Sequence, residues 1–271
     1  MNLEKVKLVV SDMDGTLLNS KGEVSNQFFK LFKKLQEQNI HFCAASGRQH
    51  NSIVNKLASI KEEIYVIAEN GGVAKMGKEV LLSNFLKAEK VIKLIPVLRE
   101  IEDANIVLCC DNSAYIESKD AHFINLFQEY YHSFKQVDDL LDVAKTIPVF
   151  KIAVYHFKSS EDFTYPAIKH LKDEVLLKVS GQNWLDISDE KANKGNALRH
   201  VQKILNVSKE ETMVFGDYHN DIEMLHEADF SFAMKNAHKD IKELANFSTE
   251  SNDNFGVERV LEKLTENNKP Y

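Results

Sequence analysis

The chain is poor in the residues that build covalent or linear frameworks. It has three cysteines among 271 residues: Cys43, Cys109 and Cys110. Their odd number, the adjacency of two of them and the lack of any metal-type spacing exclude a disulfide framework and point to a reducing compartment. Four prolines and ten glycines leave no room for a low-complexity linker. No apolar run approaches membrane-spanning length, and the amino end carries no segment of the secretory type. A cytoplasmic protein with no membrane partner is therefore expected. Positive charge is also short: 34 Lys and Arg stand against 41 Asp and Glu, for a net charge of -7. That balance disfavours nucleic acid as a partner, and any anionic ligand must be held by local positive groups. No fixed-period repeat and no obligate protein partner is evident. What remains is an ordinary globular composition, 44% hydrophobic and 28% charged, long enough for two modest domains or one large one.

The stretch that organises the chain runs from Val6 to Thr16. A short apolar run, Leu8 to Val10, ends in Asp12 and Asp14 with Gly15 and Thr16 directly after them. The run reads as a buried strand, and ligands of open α/β sheets bind at the carboxyl ends of strands. Alternate strand residues point the same way, so Asp12 and Asp14 can face one pocket. Two like charges so close call for a cation or a shared proton. The spacing suggests a metal site, with one carboxylate free to attack and the other to move protons. An ordinary Asp-Gly turn at a strand end is the competing reading.

Downstream, strands and helices alternate. Ser25 is placed to cap a helix through Phe28, Leu31, Phe32 and Leu35. Ile40 to Ala45 reads as a second strand ending at Ser46-Gly47-Arg48, and Ile64 to Ala68 as a third ending at Glu69-Asn70-Gly71-Gly72. This alternation predicts a doubly wound parallel sheet. The rhythm breaks between about Asn84 and Asp186. Helical stretches are expected at Ala88 to Ile101 and His122 to Tyr131, and strands at Ile106 to Cys110, Val149 to Phe157 and Val175 to Val179. The second of these strands partly alternates, as a half-buried antiparallel strand does. Residues 84-186 thus read as an inserted α+β domain between core segments 1-83 and 187-271. The first rhythm returns with a helix opened by Lys194-Gly195, a strand Met213 to Phe215 ending at Gly216-Asp217, and short strands at Phe230 to Ala233 and Phe247-Ser248. A helix Val257 to Leu264 and a frayed polar tail, Thr265 to Tyr271, close the chain.

Three further strand ends or helix starts carry polar groups, each with a modest alternative. Ser46 can donate a hydroxyl hydrogen bond at a helix start, where the Gly47 amide is also free to meet phosphate, or it can simply cap that helix. Lys194 can neutralise phosphate oxygens, or it can be a solvated lysine. Asp217 and Asp221 flank a polar loop suited to Mg2+, or they form an acidic turn favouring a helix dipole. Asn220 can donate to phosphate or hold the loop. Cys109-Cys110, Trp184 and the row Phe123, Phe127, Tyr131 read as packing residues, and His219 is a poor ligand for magnesium.

The ordered set Asp-x-Asp-Gly-Thr, Ser-Gly-Arg, Lys-Gly and Gly-Asp-x-x-Asn-Asp resembles the haloacid dehalogenase (HAD) superfamily of phosphohydrolases. Within it the chain is most similar to the Cof-type branch, whose large cap lies between the second and third motifs. Met234-Lys235-Asn236-Ala237 and Asn252-Asp253-Asn254-Phe255-Gly256-Val257 also resemble that branch. The resemblance implies a Rossmann-like HAD core with an α+β cap. It implies Asp12 as the nucleophile forming an aspartyl-phosphate and Asp14 as the group that protonates the leaving oxygen and then activates water. Ser46, Gly47, Lys194 and Asn220 would bind the phosphoryl group. Mg2+ would be held by Asp12, the Asp14 carbonyl and Asp217, with Asp221 in support. The implied activity is a magnesium-dependent phosphatase of small phosphorylated metabolites, with sugar phosphates favoured by resemblance alone. A sugar phosphomutase using the same phosphoaspartate, and a non-catalytic phosphate-binding regulator, are the rival functions.

Overall fold

The computed structural model describes residues 3–111, 113–128, 131 and 133–267. Strand β1 (Leu8–Asp12) is buried at all five positions, as a strand covered on both faces must be. β2 (His41–Ala45), β3 (Tyr65–Ala68), β4 (Val73–Met76) and β5 (Glu79–Ser83) follow. The next six strands form a second sheet: β6 (Ala104–Cys110), β7 (Ala114–Ile116), β8 (Phe134–Gln136), β9 (Val149–His156), β10 (Leu176–Val179) and β11 (Trp184–Ser188). β12 (Thr212–Gly216), β13 (Phe230–Ala233) and β14 (Phe247–Ser248) return to the first.

The first sheet has the order β14-β13-β12-β1-β2-β3-β4-β5. Neighbours from β14 to β3 are parallel, while β4 and β5 add an antiparallel edge that the alternation of strands and helices did not announce. The helix Asn26–Glu37 covers one face. Ser25 caps it by accepting from the Phe28 amide at 3.0 Å, and Phe28, Leu31, Phe32 and Leu35 are its buried stripe. The chain winds outward from β1 through β2 on one side and from β12 through β13 on the other. The switch point of the sheet therefore lies at β1 and β12, where a parallel sheet opens a crevice at its carboxyl edge.

The second sheet has the order β10-β11-β9-β6-β7-β8 and is antiparallel except between β7 and β8. Sequence reasoning found three of its six strands. β7 and β8 have three residues each, too few for an alternation to register. β9 is buried at all eight positions and not half-buried as expected. One face of this sheet packs Ile152 and Val154 in a cluster with Leu94, Leu98 and Ile187. The other packs Ala153 and Tyr155 with Phe123, Phe127 and Tyr131. The helix expected over His122 to Tyr131 spans Ala121–Phe127, and residues 129 and 130 lie outside the described residues.

The last helix, Gly256–Asn267, takes in Thr265, which is buried, so the frayed tail does not begin there. Residues 268–271 lie outside the described residues. Among the described residues, no helix is long and apolar enough to cross a membrane. Two connections join the sheets, after β5 and after β11. β11 runs to Ser188, two residues past the expected boundary at 186. Asn84 ties the connections together, its Nδ2 donating to Gly71 O at 3.1 Å and to Lys191 O at 3.3 Å.

Candidate active site

Register brings the site together. Asp12 pairs with Ala45 across β1 and β2, and Ser11 with Phe215 across β1 and β12. Asp12, Ser46 and Asp217 therefore emerge side by side at the carboxyl edge of the sheet. Gly15 has a φ of +76, and a Cβ there would lie 2.3 Å from Asp217 Oδ2. Only glycine allows the turn after β1 and the carboxylate after β12 to approach so closely. Thr16 Oγ1 donates to Asp217 Oδ1 at 3.3 Å, and Asn236 Nδ2 donates to Gly15 O at 2.7 Å.

Lys194 opens the helix Lys194–Leu205, whose cap is Asn193. It is fully buried, with Nζ 2.5 Å from Asp12 Oδ1 and 2.7 Å from Asp221 Oδ1. A solvated lysine is thereby ruled out. Asp221 Oδ2 accepts the amides of Asp217 and Tyr218 at 2.9 and 3.2 Å. Both Asp221 oxygens are thus engaged within the protein, so it braces the loop from behind while Asp12 and Asp217 face the cleft.

The charge balance is negative. Burial pushes the Asp12 carboxyl well above its ordinary range; Lys194 pulls it down, and Asp221, Asp217 and Asp14 push it up again. Asp217 is pushed up to about 7 by burial first and by Asp221 second. Burial alone would lower the Lys194 value, but Asp12 and Asp221 hold it above the ordinary lysine range, so the ammonium stays charged. One ammonium does not offset three carboxylates. Ligand oxygens of Asp12, Asp217 and Asp221 lie within 4.8 Å of one another, and an all-oxygen, carboxylate-rich set of this kind fits a hard divalent cation.

Ser46 sits in a loop and not at a helix start. The next helix is His50–Lys56, and its cap position is Gln49. No helix start therefore stands at Ser46 and Gly47 to meet phosphate, because the intervening residues make a tight turn in which Ser46 Oγ accepts the Arg48 amide at 3.1 Å. Both Ser46 and Gly47 still line the cleft. Asn220 lines it too, and its Nδ2 donates to Asn70 Oδ1 at 3.0 Å. Asp14 is half exposed and held by a two-pronged ion pair, Arg48 Nε to Oδ2 at 2.6 Å and Nη2 to Oδ1 at 2.7 Å. Sequence reasoning named Arg48 within a motif but gave it no role.

A second charged cluster was missed. Lys151 on β9 reaches across to the first sheet and lies 2.7 Å from Gly47 O, 2.9 Å from Asp186 Oδ2 and 3.3 Å from Glu69 Oε2. All three charged residues are buried. Asn70 Nδ2 donates to Asp186 Oδ2 at 2.5 Å, which extends the network through Asn70 to Asn220. Glu69 and Asn70 both have φ near +50, at 52 and 53, a conformation that non-glycine residues hold only when their surroundings compel it. One signal was available in the sequence: a lysine amid Val149-Phe150 and Ile152-Ala153-Val154 has nowhere to be solvated in a fully buried strand. The cleft between the sheets measures about 410 Å³. Asp12, Ser46, Arg48 and Asp217 form one wall, and Tyr131, Lys151, Gln182, Asn183, Trp184 and Asp186 the other.

Residues 9–261 match the family model for haloacid dehalogenase-like hydrolases. The chain belongs to that family. It is 30% identical over 270 residues to the 5-amino-6-(5-phospho-D-ribitylamino)uracil phosphatase YbjI of Escherichia coli (strain K12), covering 98% of each chain. It is 27% identical over 292 residues to phosphatase YwpJ of Bacillus subtilis (strain 168), covering 96% of this chain and 100% of that one. Among solved structures it is similar to SMU.1108c from Streptococcus mutans UA159, with a TM-score of 0.87, 28% identity and coverage of 95% and 98%. The chain is a phosphoric monoester hydrolase of the HAD type, with an α/β parallel-sheet core and an inserted α+β unit.

Proposed function

We propose that this hydrolase removes phosphate from small phosphorylated metabolites in a Mg2+-dependent reaction, with sugar or sugar-alcohol phosphates as the favoured class. The observation that carries the reading is the buried Lys194, which bridges Asp12 and Asp221 from behind the cleft that Asp12 lines. Lys194 offsets part of the burial of Asp12 and holds its carboxyl beside the open space where a phosphoryl group fits. Asp12 attacks phosphorus and forms the aspartyl-phosphate as the bond to the leaving oxygen breaks, and Asp14 supplies that oxygen's proton. Asp14 then takes a proton from water, whose oxygen attacks the same phosphorus and restores Asp12. Arg48 occupies both carboxylate oxygens of Asp14, so the acid step requires that pair to part. Phosphoryl oxygens that draw Arg48 away would do so.

Ser46, Gly47, Lys194 and Asn220 receive the phosphoryl oxygens. Asp12, Asp217 and the Asp14 carbonyl hold Mg2+, with Asp221 in support; the ion supplies neutralisation of developing phosphoryl charge. Residues 84–186 act as the cap that reads the leaving group, and 1–83 with 187–271 as the core. The aromatic and amide groups of the cap wall suit a hydroxylated leaving group, in keeping with a relative named for a ribityl phosphate. Phosphate release across a panel of sugar phosphates, nucleotides and phosphopeptides, with Mg2+ and without any bisphosphate activator, tests the reading. A phosphopeptide leading the panel in kcat/KM would overturn the small-substrate reading. Dependence on a bisphosphate would point to the mutase.

A further inference from the structure

Two histidines and an aspartate meet at the loop that carries Asp217. His219 Nε2 lies 3.0 Å from Asp240 Oδ2, and His238 Nδ1 lies 3.5 Å from the same oxygen. The two imidazoles are 4.3 Å apart between ring centres, and the three ligand atoms lie within 4.8 Å of one another. All three side chains are partly open to solvent, so an ion can enter and waters can complete its shell. The cluster does not rest on side-chain contacts alone. The His238 amide donates to Asp217 O at 2.9 Å, and the Tyr218 ring packs against both imidazoles, at 5.0 and 5.9 Å.

We propose that His219, His238 and Asp240 form a second metal site, separate from the carboxylate site, that takes a zinc-class transition ion. Two imidazoles and one carboxylate are ligands that zinc, nickel and copper prefer and that magnesium does not. With Zn–N and Zn–O bonds of about 2.0–2.1 Å, the edge of a tetrahedral site is about 3.3 Å. The distances of 3.0 and 3.5 Å from Asp240 Oδ2 straddle that edge. His238 Nδ1 accepts the Asp240 amide at 3.3 Å, so this nitrogen already lacks the proton that coordination would have to remove. The ion displaces that long capping bond and the hydrogen bond between His219 Nε2 and Asp240 Oδ2.

The site has a consequence for the loop. His219 stands between Asp217 and Asp221, and the second sheet also lands here. Lys178 Nζ reaches His219 O at 3.4 Å, and Tyr218 OH donates to Glu161 Oε1 at 3.3 Å. An ion bridging His219 to the helix Lys239–Leu244 pins both the acidic loop and its contact with the inserted unit.

The test uses tag-free full-length protein in excess Mg2+. Zinc titrated by calorimetry is expected to fill a single site per chain and to raise the thermal midpoint, and X-ray absorption at the zinc edge is expected to show two imidazoles. His238→Ala and Asp240→Asn should each weaken zinc binding by about 10- to 100-fold or more, with zinc-free thermal midpoints as the control for folding. Zinc bound equally well by both variants, zinc displaced by magnesium, or an edge spectrum without imidazole would each overturn the proposal. These readouts are independent of phosphate release.

Discussion

Replacing Lys151 with methionine keeps the aliphatic stem and removes the ammonium from the buried cluster. Glu69 and Asp186 then face each other with no counter-charge, and Gly47 O loses its donor. At an effective dielectric near 20, each contact at about 3 Å represents roughly 5 kcal/mol before desolvation. Removing one partner of a buried pair costs a net of about 3–5 kcal/mol. The loss should depend on pH, and its sign follows from Glu69. Burial, the largest influence, with Asp186, pushes its carboxyl up to about 7 from an ordinary 4.5, while Lys151 pulls it down. A carboxyl whose folded value is raised stabilises the fold fully below the unfolded value, and that stabilisation fades as pH climbs to the folded one. Over this window the wild type loses about 3 kcal/mol on Glu69's account.

Without Lys151, Glu69 stays protonated to higher pH. At about pH 6 Glu69 is largely neutral in both proteins, and the variant's deficit shrinks to the loss of the Lys151–Asp186 pair and its hydrogen bonds; at about pH 9 the full cost returns. Urea unfolding at the two pH values measures this. The fluorescence of Trp184, the only tryptophan and a lining residue of the same cleft, reports it locally. Adding Glu69→Gln to the variant should flatten the difference. An equal deficit at both pH values, or one under about 1 kcal/mol at the higher, would refute the charge accounting.

Asp12→Asn should keep its fold and lower phosphate release by about 10³-fold or more, since an amide is a poor nucleophile toward phosphorus. Near-normal turnover in protein shown by mass spectrometry to be free of deamidation would remove Asp12 from that role. Chelation should stop turnover, and added Mg2+ should restore it and raise the thermal midpoint by relieving repulsion among Asp12, Asp217 and Asp221. Full activity after exhaustive chelation contradicts the scheme. Gly15→Ala should cost about 1–2 kcal/mol for its positive φ and displace Asp217, raising the Mg2+ concentration for half-maximal rate by about 10-fold. An unchanged magnesium dependence would show that Asp217 does not need that approach.

The acidic half of the site was legible because each of its residues sits within a residue or two of a strand end or helix start. Asp12 closes β1, Asp217 follows β12 and Lys194 opens a helix. Parallel register then does the rest, since strand ends that share an edge bring their residues together without further instruction. The Lys151 cluster has no such local marker. Its bonds join residues 104 and 116 positions apart, Lys151 with Gly47 and Asp186 with Asn70. Periodicity reports which face of an element is buried but is silent on what it is buried against. Ser46 failed differently: a serine before an apolar helical pattern reads as a cap, yet the turn it makes with Arg48 delays the helix to His50. Arg48 was visible but uninterpretable, because its meaning lies in the carboxylate it holds.

The two charged clusters differ in what a moving cap would ask of them. Lys151 pairs in register with Ser188, the last residue of β11, so the Lys151 cluster lies beside the connection on which the proposed cap would pivot. Rotation about that connection would displace Lys151 and Asp186 little and would leave the bond from Lys151 to Gly47 O in place. The far rim is different. Tyr218 with Glu161, Lys178 with His219 O, and Lys178 with Glu223 at 2.6 Å all join the inserted unit to the loop and helix following β12. These contacts are partly exposed, so breaking them exchanges protein for water at small cost, about 1 kcal/mol or less for each ion pair. If residues 84–186 move as a cap, this buried pivot and solvated rim would favour opening at the rim where Tyr218, His219 and Glu223 meet the inserted unit.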